Sequence, residues 1–507
     1  MTAHSSDFPL RTGPPETAAL LCGFLRSAGF DETTLCRELQ IQNLSQLGKV
    51  RWKEMDFTGR PMVLRCCASL FLFGERAPRA PLEALFGAET IQAFLETGLL
   101  RESPSVPGTL VAAVFVYPVA GFIVASDRHD DPDGPPGQSR DVQADVVFPA
   151  IFGGTLRFLE LFPPVSDGDA LDLCGGAGIG AMVFARAART AGTADITERA
   201  TRFAAFNAWL NGCAKVEALC GDLYAPVAGR QFDGITAHPP YVPDLGARMI
   251  YRDAGDTGED ITRHIVAGLP GHLRPGGVAL VLGQGCDAGE GDYEQRVRAW
   301  LGEAQSEFDV LFALQDTKTL EEEVRGVAAR LNRPTREQLD ELLARFRKLA
   351  IKQFVYGALV IRRHRADGFE PWTTRLRLSP ETLGPDFVHA LRWHDRRGQD
   401  GFAGWLARAR LRMSPHLELR VRHVVRDDAL VPAEFIFETD RPFASATRFD
   451  GWVAPLLARF NGQRTPAEIH ADARKDEAMP ADFMLPNFTD LVALLVERGY
   501  LVLAEKE

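Results

Sequence analysis

One stretch decides the fold of this chain: Leu171-Asp172-Leu173-Cys174-Gly175-Gly176-Ala177-Gly178-Ile179-Gly180-Ala181. An apolar run typical of a buried strand leads into a turn that holds four glycines, and a helix is predicted to follow at 182–189. Because glycine has no Cβ, the backbone of such a turn can lie close to a ligand. The first turn of the helix presents free N–H groups and a positive dipole end, which suit a ligand carboxylate or phosphate.

The glycine turn alone does not identify its ligand. Gly176, Gly178 and Ala181 match the dinucleotide pattern G-x-G-x-x-G/A, and Asp195 follows at about the expected 20 residues, so an oxidoreductase has to be considered. Asp195 ends the second predicted strand, where a carboxylate can accept hydrogen bonds from both ribose hydroxyls of any nucleoside. A tight turn that binds no ligand is the third interpretation.

Two features further along the chain distinguish these interpretations. Asp222 and Leu223 follow the third predicted strand, where a carboxylate can accept from an adenine amino group and the next backbone N–H can meet a ring nitrogen. The fourth strand ends in His238-Pro239-Pro240-Tyr241, a loop that two adjacent prolines make rigid. It lies where open α/β sheets bind their ligands. The Pro239 carbonyl can accept an N–H from a substrate and Tyr241 can pack on its flat face, and a nicotinamide enzyme has no need of such a loop.

Strand-like and helical segments alternate from about residue 146 to 363, which predicts a doubly wound α/β fold with a mainly parallel sheet. The seven predicted strands are 170–174, 193–196, 216–220, 232–237, 277–282, 308–314 and 354–361. The run 318–350 is rich in Glu, Leu, Ala and Arg and is broken at Pro334, so it predicts an inserted helix pair. This pair is either a substrate cap or a solvated hairpin.

Four regions are predicted along the chain. Residues 1–126 read as short helices followed by extended runs, a winged-helix-like module that serves dimerisation or covers a pocket. Residues 127–144 form a charged, Pro/Gly-rich linker or lid, in which the acidic residues are interpreted as solvated and not as a metal site. The α/β domain occupies 145–365. Residues 366–507 form an α+β module that ends in a second winged-helix-like segment.

Composition limits the partners and the compartment. The chain has 507 residues, of which 46% are hydrophobic, and 68 acidic against 57 basic side chains give a net charge of −11. We therefore do not expect nucleic acid as a partner, because the overall field repels a phosphate backbone. The eight cysteines include no C-x-x-C pair, there is no signal-peptide pattern, and no apolar run reaches the ~20 residues of a membrane span. We expect a cytoplasmic protein.

The combined motifs resemble class I S-adenosylmethionine-dependent methyltransferases, in particular the release-factor glutamine N5-methyltransferase branch. The glycine motif of that branch is matched by residues 172–178, its ribose-binding acid by Asp195, its adenine-binding acid by Asp222 and its N-P-P-Y loop by residues 238–241. Residues 206–212, 254–260 and 273–277 also look like that family. The resemblance covers about residues 145–363 and implies S-adenosyl-L-methionine as cofactor and the seven-stranded methyltransferase sheet.

The resemblance also implies a set of site residues. The implied cofactor contacts are Asp172, Cys174, Gly175, Gly176, Gly178, Asp195, Ile196, Asp222, Leu223 and His238. The implied catalytic residues are His238, Pro239 and Tyr241, and Pro240 and Tyr241 are expected to contact the acceptor. We add Phe152 and Thr155, just before the first strand, as candidate acceptor contacts. No metal ligand is expected.

Two positions depart from the family pattern. Cys174 stands where the family has its first glycine, and we expect Gly175 to supply the missing flexibility. His238 stands where the family has asparagine, whose carbonyl accepts from the acceptor NH2. A neutral histidine ring can accept one N–H or act as a general base. Alternatively His238 is a packed loop residue and the backbone does the work, so an amine, hydroxyl or carboxylate acceptor has to be considered beside an amide.

Three functions follow from these observations. The first is a methyltransferase that modifies a nitrogen or oxygen of a small molecule or peptide, in specialised metabolism. The second is a protein (glutamine-type) or nucleic-acid N-methyltransferase. The third is a regulatory protein that binds the cofactor without catalysis. The terminal modules are candidates for a homodimer interface.

Overall fold

A computed structural model describes residues 8–55, 59, 61–134, 144–243, 254–330, 334–365 and 370–504. Much of the predicted linker, residues 135–143, lies outside the described residues. Among the helices of the described part, none combines the length and apolar character that crossing a membrane requires.

An eight-stranded sheet forms the centre of the protein. Its strands are β1 (Asp169–Leu173), β2 (Thr190–Asp195), β3 (Val216–Cys220), β4 (Phe232–Ala237), β5 (Leu273–Ala288), β6 (Phe308–Lys318), β7 (Ile351–Arg363) and β8 (Thr373–Arg377). Their order across the sheet is β3-β2-β1-β4-β5-β7-β6-β8. Every pairing is parallel except those of β7, which runs antiparallel between β5 and β6. The sheet is therefore the mainly parallel one that the alternating pattern predicts.

The predicted count of seven strands was one too low. All seven predicted strands are present, and β8 adds an eighth at the edge beside β6, beyond residue 365 where the predicted domain ended. The strand β8 is only half-buried. Its sequence, Thr-Thr-Arg-Leu-Arg, therefore lacks the alternation of apolar and polar residues from which a strand is predicted. Arg375 is compensated by ion pairs with Asp287 and Glu294, at 2.6 Å each.

Helices cover both faces of the sheet. They are α1 (Gly153–Glu160), α2 (Ile179–Phe184), α3 (Glu198–Leu210), α4 (Asp260–His272), α5 (Tyr293–Trp300), α6 (Leu320–Arg330) and α7 (Arg336–Lys348), with single turns at Ala225–Val227 and Gly302–Glu307. One face packs against α4 and α5 through buried side chains such as Leu269 and Val297. The other packs against α1, α2 and the helix Gly384–Arg397, through Phe158, Phe184 and Phe387. This layering leaves the carboxyl ends of β1 to β4 open for a site.

The N-terminal region combines helices with two small sheets. Its helices are Pro15–Ser27, Glu32–Leu39, Met62–Cys67 (continued by a wider turn, Ala68–Leu72), Arg79–Phe86 and Ala88–Glu96, with 3-10 turns at Leu44–Lys49 and Trp52–Glu54. Thr109–Ala112 pairs with Ala77–Pro78 and with Leu100–Glu102, and Phe115–Val119 forms a hairpin with Phe122–Ser126. The winged-helix classification of this region stays a prediction.

The acidic residues after this hairpin are only partly solvated, contrary to the sequence interpretation. Asp130 is half-exposed beside Arg128. The Asp133 side chain is 11% exposed, accepts a hydrogen bond from Ser105 at 3.2 Å and pairs with Arg101. Arginines, which sequence spacing does not reveal, compensate these charges.

The C-terminal region has its own core. Its helices are Gly384–Arg397, Phe402–Arg408, Val453–Leu457, Pro466–Lys475 and Leu485–Glu497. Its strands are Glu418–Arg426, Ala429–Thr439 and Ser445–Phe449 in one antiparallel sheet, and Leu411–Met413 paired with Leu501–Leu503. Its winged-helix classification also stays a prediction.

Asn207 on α3 and Asn211, directly after its last residue, join the N-terminal hairpin to the central domain. The Asn207 side chain is fully buried: its oxygen accepts from the Ala125 N–H (2.8 Å), and its NH2 donates to the carbonyls of Ala125 and Ala177, both at 2.9 Å. Asn211 pairs in the same way with both backbone groups of Ile123. These amides satisfy the edge of a strand as a neighbouring strand would.

Replacing Asn207 with alanine is expected to lower the free energy of unfolding by about 3 kcal/mol, because three buried backbone groups lose their partner. Denaturant titration monitored by circular dichroism measures the change. The control is Asn487→Ala, at an exposed position on a C-terminal helix, which we expect to change the free energy by less than about 0.5 kcal/mol. Equal effects of the two substitutions would contradict the structural role of Asn207.

Candidate functional site

A cavity of about 950 Å³ opens at the carboxyl ends of β1, β2 and β4. The glycine turn and the ends of β2 and β3 form one side of it, and the loop after β4 forms another. A third side comes from the segment 144–150 and the start of α1. The topology therefore brings together segments from Ala144 to Ile261, which are 117 residues apart in the sequence.

The glycine turn is shaped by contacts with a buried carboxylate. The Asp172 side chain accepts from the Thr236 hydroxyl at 2.9 Å, and a Cβ at Gly180 would overlap its carboxylate. A Cβ at Gly175 would overlap the Thr193 hydroxyl. Glycine is therefore required at both positions by space, and the backbone of the turn is held close to the end of β1.

Cys174 has a left-handed backbone conformation. Its φ is 55°, in the left-handed region that a residue with a Cβ rarely adopts. The expectation that Gly175 supplies this flexibility was wrong, since Gly175 is needed for space and the positive φ falls on Cys174 itself. Burial and the nearby carboxylates of Asp195 and Asp172 raise the pKa of the Cys174 thiol, so it stays protonated.

Asp195 links the end of β2 to the glycine turn. One carboxylate oxygen accepts from the Gly176 N–H at 3.0 Å, and the other accepts from the N–H (3.0 Å) and hydroxyl (3.1 Å) of Thr197. Thr197 in turn caps α3 by accepting from the Ala200 N–H at 3.1 Å. The carboxylate is thus fixed in orientation at the cavity wall.

The charge of the cavity is uniformly negative. Its described lining residues include four aspartates, Asp145, Asp172, Asp195 and Asp222, and neither lysine nor arginine. Burial, together with the neighbouring Asp195 carboxylate, raises the pKa of Asp172 to about 7, although the hydrogen bond from Thr236 acts in the opposite direction. A cationic ligand would be attracted to this wall, whereas a phosphate-rich one would be repelled.

The loop after β4 is packed tightly from behind. Pro239 is buried, and the Tyr241 ring lies against Gly283 of β5, with its centroid 5.6 Å from that of Tyr356. A Cβ at Gly258 would overlap the Tyr241 carbonyl, so this glycine permits the close approach. The loop is therefore held in one position at the cavity.

His238 is a neutral side chain in an apolar environment. Its ring lies 5.4 Å from Phe158 and stacks on Tyr241 at 6.0 Å, measured between centroids. Burial lowers its pKa to about 4, so the ring is uncharged at neutral pH. Its Nε2 is buried and has no hydrogen-bond partner among the described residues. A buried ring nitrogen without a partner is a group that a bound molecule can satisfy.

The wall at 144–150 was not foreseen from the sequence. It is fixed by the N-terminal region: the Tyr117 hydroxyl accepts from the Ala150 N–H at 2.8 Å, and the Asp127 carboxylate accepts from the Val147 N–H at 2.9 Å. Asp127 also pairs with Arg199 of α3. One sequence feature could have indicated this wall. Residues 146–150, Val-Val-Phe-Pro-Ala, form an apolar run that is too short for a helix and directly follows a charged segment.

The inserted helices α6 and α7 do not line the described part of the cavity. They pack behind the loop instead, where Val324, Leu342 and Phe346 form an apolar cluster with Tyr241 and Val242. Their interior side chains are buried, so they are not a solvated hairpin either. Neither of the two interpretations of the insertion describes this supporting position.

Most of the predicted site residues meet at the cavity. Those that line it are Asp172, Cys174, Gly175, Gly176, Asp195, Ile196, Asp222, Leu223, His238, Pro239, Pro240, Tyr241, Phe152 and Thr155. Gly178 is not among the lining residues; its φ is 81° and a Cβ there would lie 2.7 Å from that of Ala204 on α3. Lining residues that the sequence analysis missed include Val147, Phe148, Phe158, Thr197 and Ile261.

Comparison with known proteins agrees with this geometry. The family model described as "Methyltransferase small domain" matches residues 150–290. The chain is 32% identical over 158 residues to the ribosomal protein uL3 glutamine methyltransferase of Bradyrhizobium diazoefficiens, which covers 28% of this chain and 49% of that protein. It is 36% identical over 107 residues to the release factor glutamine methyltransferase of Moorella thermoacetica, covering 19% of this chain and 38% of that protein.

These matches have a limited extent. The chain spans about half the length, or less, of the curated relatives it matches. A structural comparison matches a ribosomal protein L11 methylase of Lactobacillus delbrueckii subsp. bulgaricus over 39% of this chain and 72% of that one, with 20% identity and a TM-score of 0.22. The segment with the glycine turn, the acidic strand ends and the rigid loop is a class I S-adenosylmethionine-dependent methyltransferase domain, of the branch that includes the release-factor and ribosomal-protein glutamine methyltransferases.

Proposed function

We propose that the whole protein is an active methyltransferase that transfers a methyl group to a nitrogen of a protein or peptide side chain. One observation carries the proposal: a single cavity contains both the glycine turn with its carboxylates and the rigid loop that ends β4. A cofactor and an acceptor can therefore bind side by side in one cavity. The relatives that match the chain are named for glutamine methylation of a ribosomal protein and of release factors.

The residues present fit S-adenosyl-L-methionine. The glycine turn and the start of α2 offer backbone N–H groups to its carboxylate, and Asp195 and Asp222 offer acceptors to its ribose and adenine. A wall with four aspartates and no described lysine or arginine suits a cation. A cation beside Asp172 would favour the charged form of this carboxyl, whose pKa burial has raised to about 7.

The bound cofactor supplies an activated methyl group, so the protein has mainly to orient the acceptor. We assign this to the loop: the Pro239 carbonyl accepts one acceptor N–H, the His238 ring accepts a second, and Tyr241 packs on the flat face. The neutral state of His238 agrees with accepting a hydrogen bond. Its low pKa makes it a poor general base at neutral pH, since a base is most effective when its pKa is near the working pH.

A small-molecule acceptor is the second candidate. It is favoured by the apolar wall Val146 to Phe152, in which Phe148 and Phe152 are 38% and 46% exposed, and by the departure of His238 from asparagine. A nucleic-acid acceptor is disfavoured by the negative wall. A purely regulatory protein is disfavoured because the cavity also contains the rigid loop 238–241, which binding of the cofactor alone does not require.

Radiolabelled methyl donor distinguishes these acceptors. The full chain is incubated with methyl-labelled S-adenosylmethionine and fractionated extract from cells that lack the protein. We expect label in the protein fraction, sensitive to protease and resistant to ribonuclease, with methylated glutamine or another N-methyl amino acid after digestion. Label confined to small molecules would move the assignment to the second candidate, and label in RNA or DNA would contradict the proposal.

The substitution Asp195→Ala tests the proposed binding of the cofactor. We expect at least tenfold weaker binding of S-adenosylmethionine by calorimetry, because the ribose loses its acceptor and the Gly176 N–H loses its partner. Asp490→Ala, at an exposed site on a C-terminal helix, serves as the matched control and should bind as wild type. Unchanged affinity in Asp195→Ala would remove this residue from the site.

The role of His238 predicts a pH profile. Because its pKa is lowered to about 4, the ring stays neutral from pH 6 to 8, and kcat/KM should show no inflection near 6.5 that depends on it. His238→Asn should retain activity within about tenfold, whereas His238→Leu, which cannot accept, should lose on the order of 100-fold. An inflection near pH 6.5 that disappears in His238→Asn would show a base role instead.

A further inference from the structure

A second large cavity lies in the C-terminal region. It has a volume of about 940 Å³, similar to that of the methyltransferase cavity, and shares no lining residue with it. It lies between the helix Gly384–Arg397 and the paired strands Leu411–Met413 and Leu501–Leu503. Nothing in the proposed methyltransferase chemistry uses it, and its size is that of a ligand site.

The charge of this cavity is opposite to that of the first. Five arginines line it, against two acidic side chains, Asp386 and Glu497, although the chain as a whole has a net charge of −11. Some of this charge is compensated: Arg397 pairs with Glu497 at 2.5 Å, and Arg441 pairs with Glu381. Local positive charge in an acidic protein indicates an anionic partner.

Two of the five arginines have no side-chain partner. Arg392 and Arg412 are exposed residues that line the cavity, and in the part of the chain that the structure describes neither forms an ion pair or a side-chain hydrogen bond. A guanidinium carries five N–H donors and binds carboxylate or phosphate oxygens in a two-pronged manner. Uncompensated arginines that face one cavity therefore point to an oxyanion.

Trp393, another residue of the cavity lining, carries a further unsatisfied donor. Trp393 is only 7% exposed, and its indole N–H has no hydrogen-bond partner among the described residues. A buried N–H without an acceptor is destabilising unless a bound molecule satisfies it. The remaining wall is apolar and includes Leu376, Phe443 and Leu501, so the ligand needs an apolar body as well as a charged end.

We propose that this cavity binds an amphiphilic organic anion, with its carboxylate or phosphate on Arg392 and Arg412 and its apolar body against Phe443 and Leu501. The site is distinct from the methyltransferase site and does not depend on the acceptor proposed for it. Carboxylate and phosphate are both compatible with guanidinium donors, and competition distinguishes them.

Fluorescent probes test the proposal on the full chain. Saturation with S-adenosylmethionine first occupies the other cavity. 8-Anilino-1-naphthalenesulfonate, an amphiphilic anion, is then titrated beside its uncharged analogue N-phenyl-1-naphthylamine. We expect one saturable site that binds the anion at least tenfold more tightly. Equal affinity for the two probes, or no saturable binding of the anion, would overturn the proposal.

Substitutions locate the site. Arg392→Gln with Arg412→Gln should weaken binding of the anionic probe at least tenfold, and Trp393→Phe, which keeps an aromatic ring and removes the N–H, should weaken it about threefold. The matched control is Arg51→Gln with Arg336→Gln, whose side chains are 81% and 94% exposed and which do not line the cavity. Circular dichroism checks that each variant is folded. Wild-type affinity in the Arg392/Arg412 double variant would overturn the proposal.

Competition experiments identify the charged group that the cavity prefers in its ligand. Octyl phosphate, octanoate and the neutral octanol are added to the protein with the anionic probe bound. Displacement by octyl phosphate or by octanoate, but not by octanol, supports the proposal and shows which oxyanion is preferred. Displacement by octanol as effectively as by the anions would overturn it.

Discussion

The side-chain amide of Asn207 is the contact on which much of this structure depends. It replaces a missing neighbour of the strand Phe122–Ser126 and binds the Ala177 carbonyl in the glycine turn, so one buried group joins three segments. Edge strands expose unpaired backbone groups, and burying such an edge without partners would be strongly unfavourable. The N-terminal region and the cofactor turn are therefore fixed relative to each other by the same residue.

The methyltransferase site is then shaped by close approach and by negative charge. A buried carboxylate at Asp172 leaves no room for a Cβ at Gly180, and the acidic strand ends give the wall its polarity. The left-handed φ of Cys174 places a residue with a Cβ in a backbone conformation that glycine adopts more easily. On the opposite side, the loop after β4 is held by contacts that come from β5 and the inserted helices.

Sequence reasoning predicted the parts of this arrangement that depend on local pattern. Strand alternation located seven strands, and the glycines, Asp195, Asp222 and residues 238–241 located the cavity, because each follows a strand end. It failed where tertiary contacts decide. The edge strand β8 has no apolar pattern. The wall at 144–150 is positioned by Tyr117 and Asp127, which come from the N-terminal region. The inserted helices are positioned by the apolar cluster that their buried side chains form behind the loop after β4.

The support of the 144–150 wall has a consequence for substitutions in the N-terminal region. This wall is held by a hydroxyl and a carboxylate from that region, whereas the carboxylates proposed to hold the cofactor lie at the strand ends of the central sheet. Substitution of Tyr117 or Asp127 would therefore displace the wall at 144–150 without removing any of the carboxylates that line the cavity.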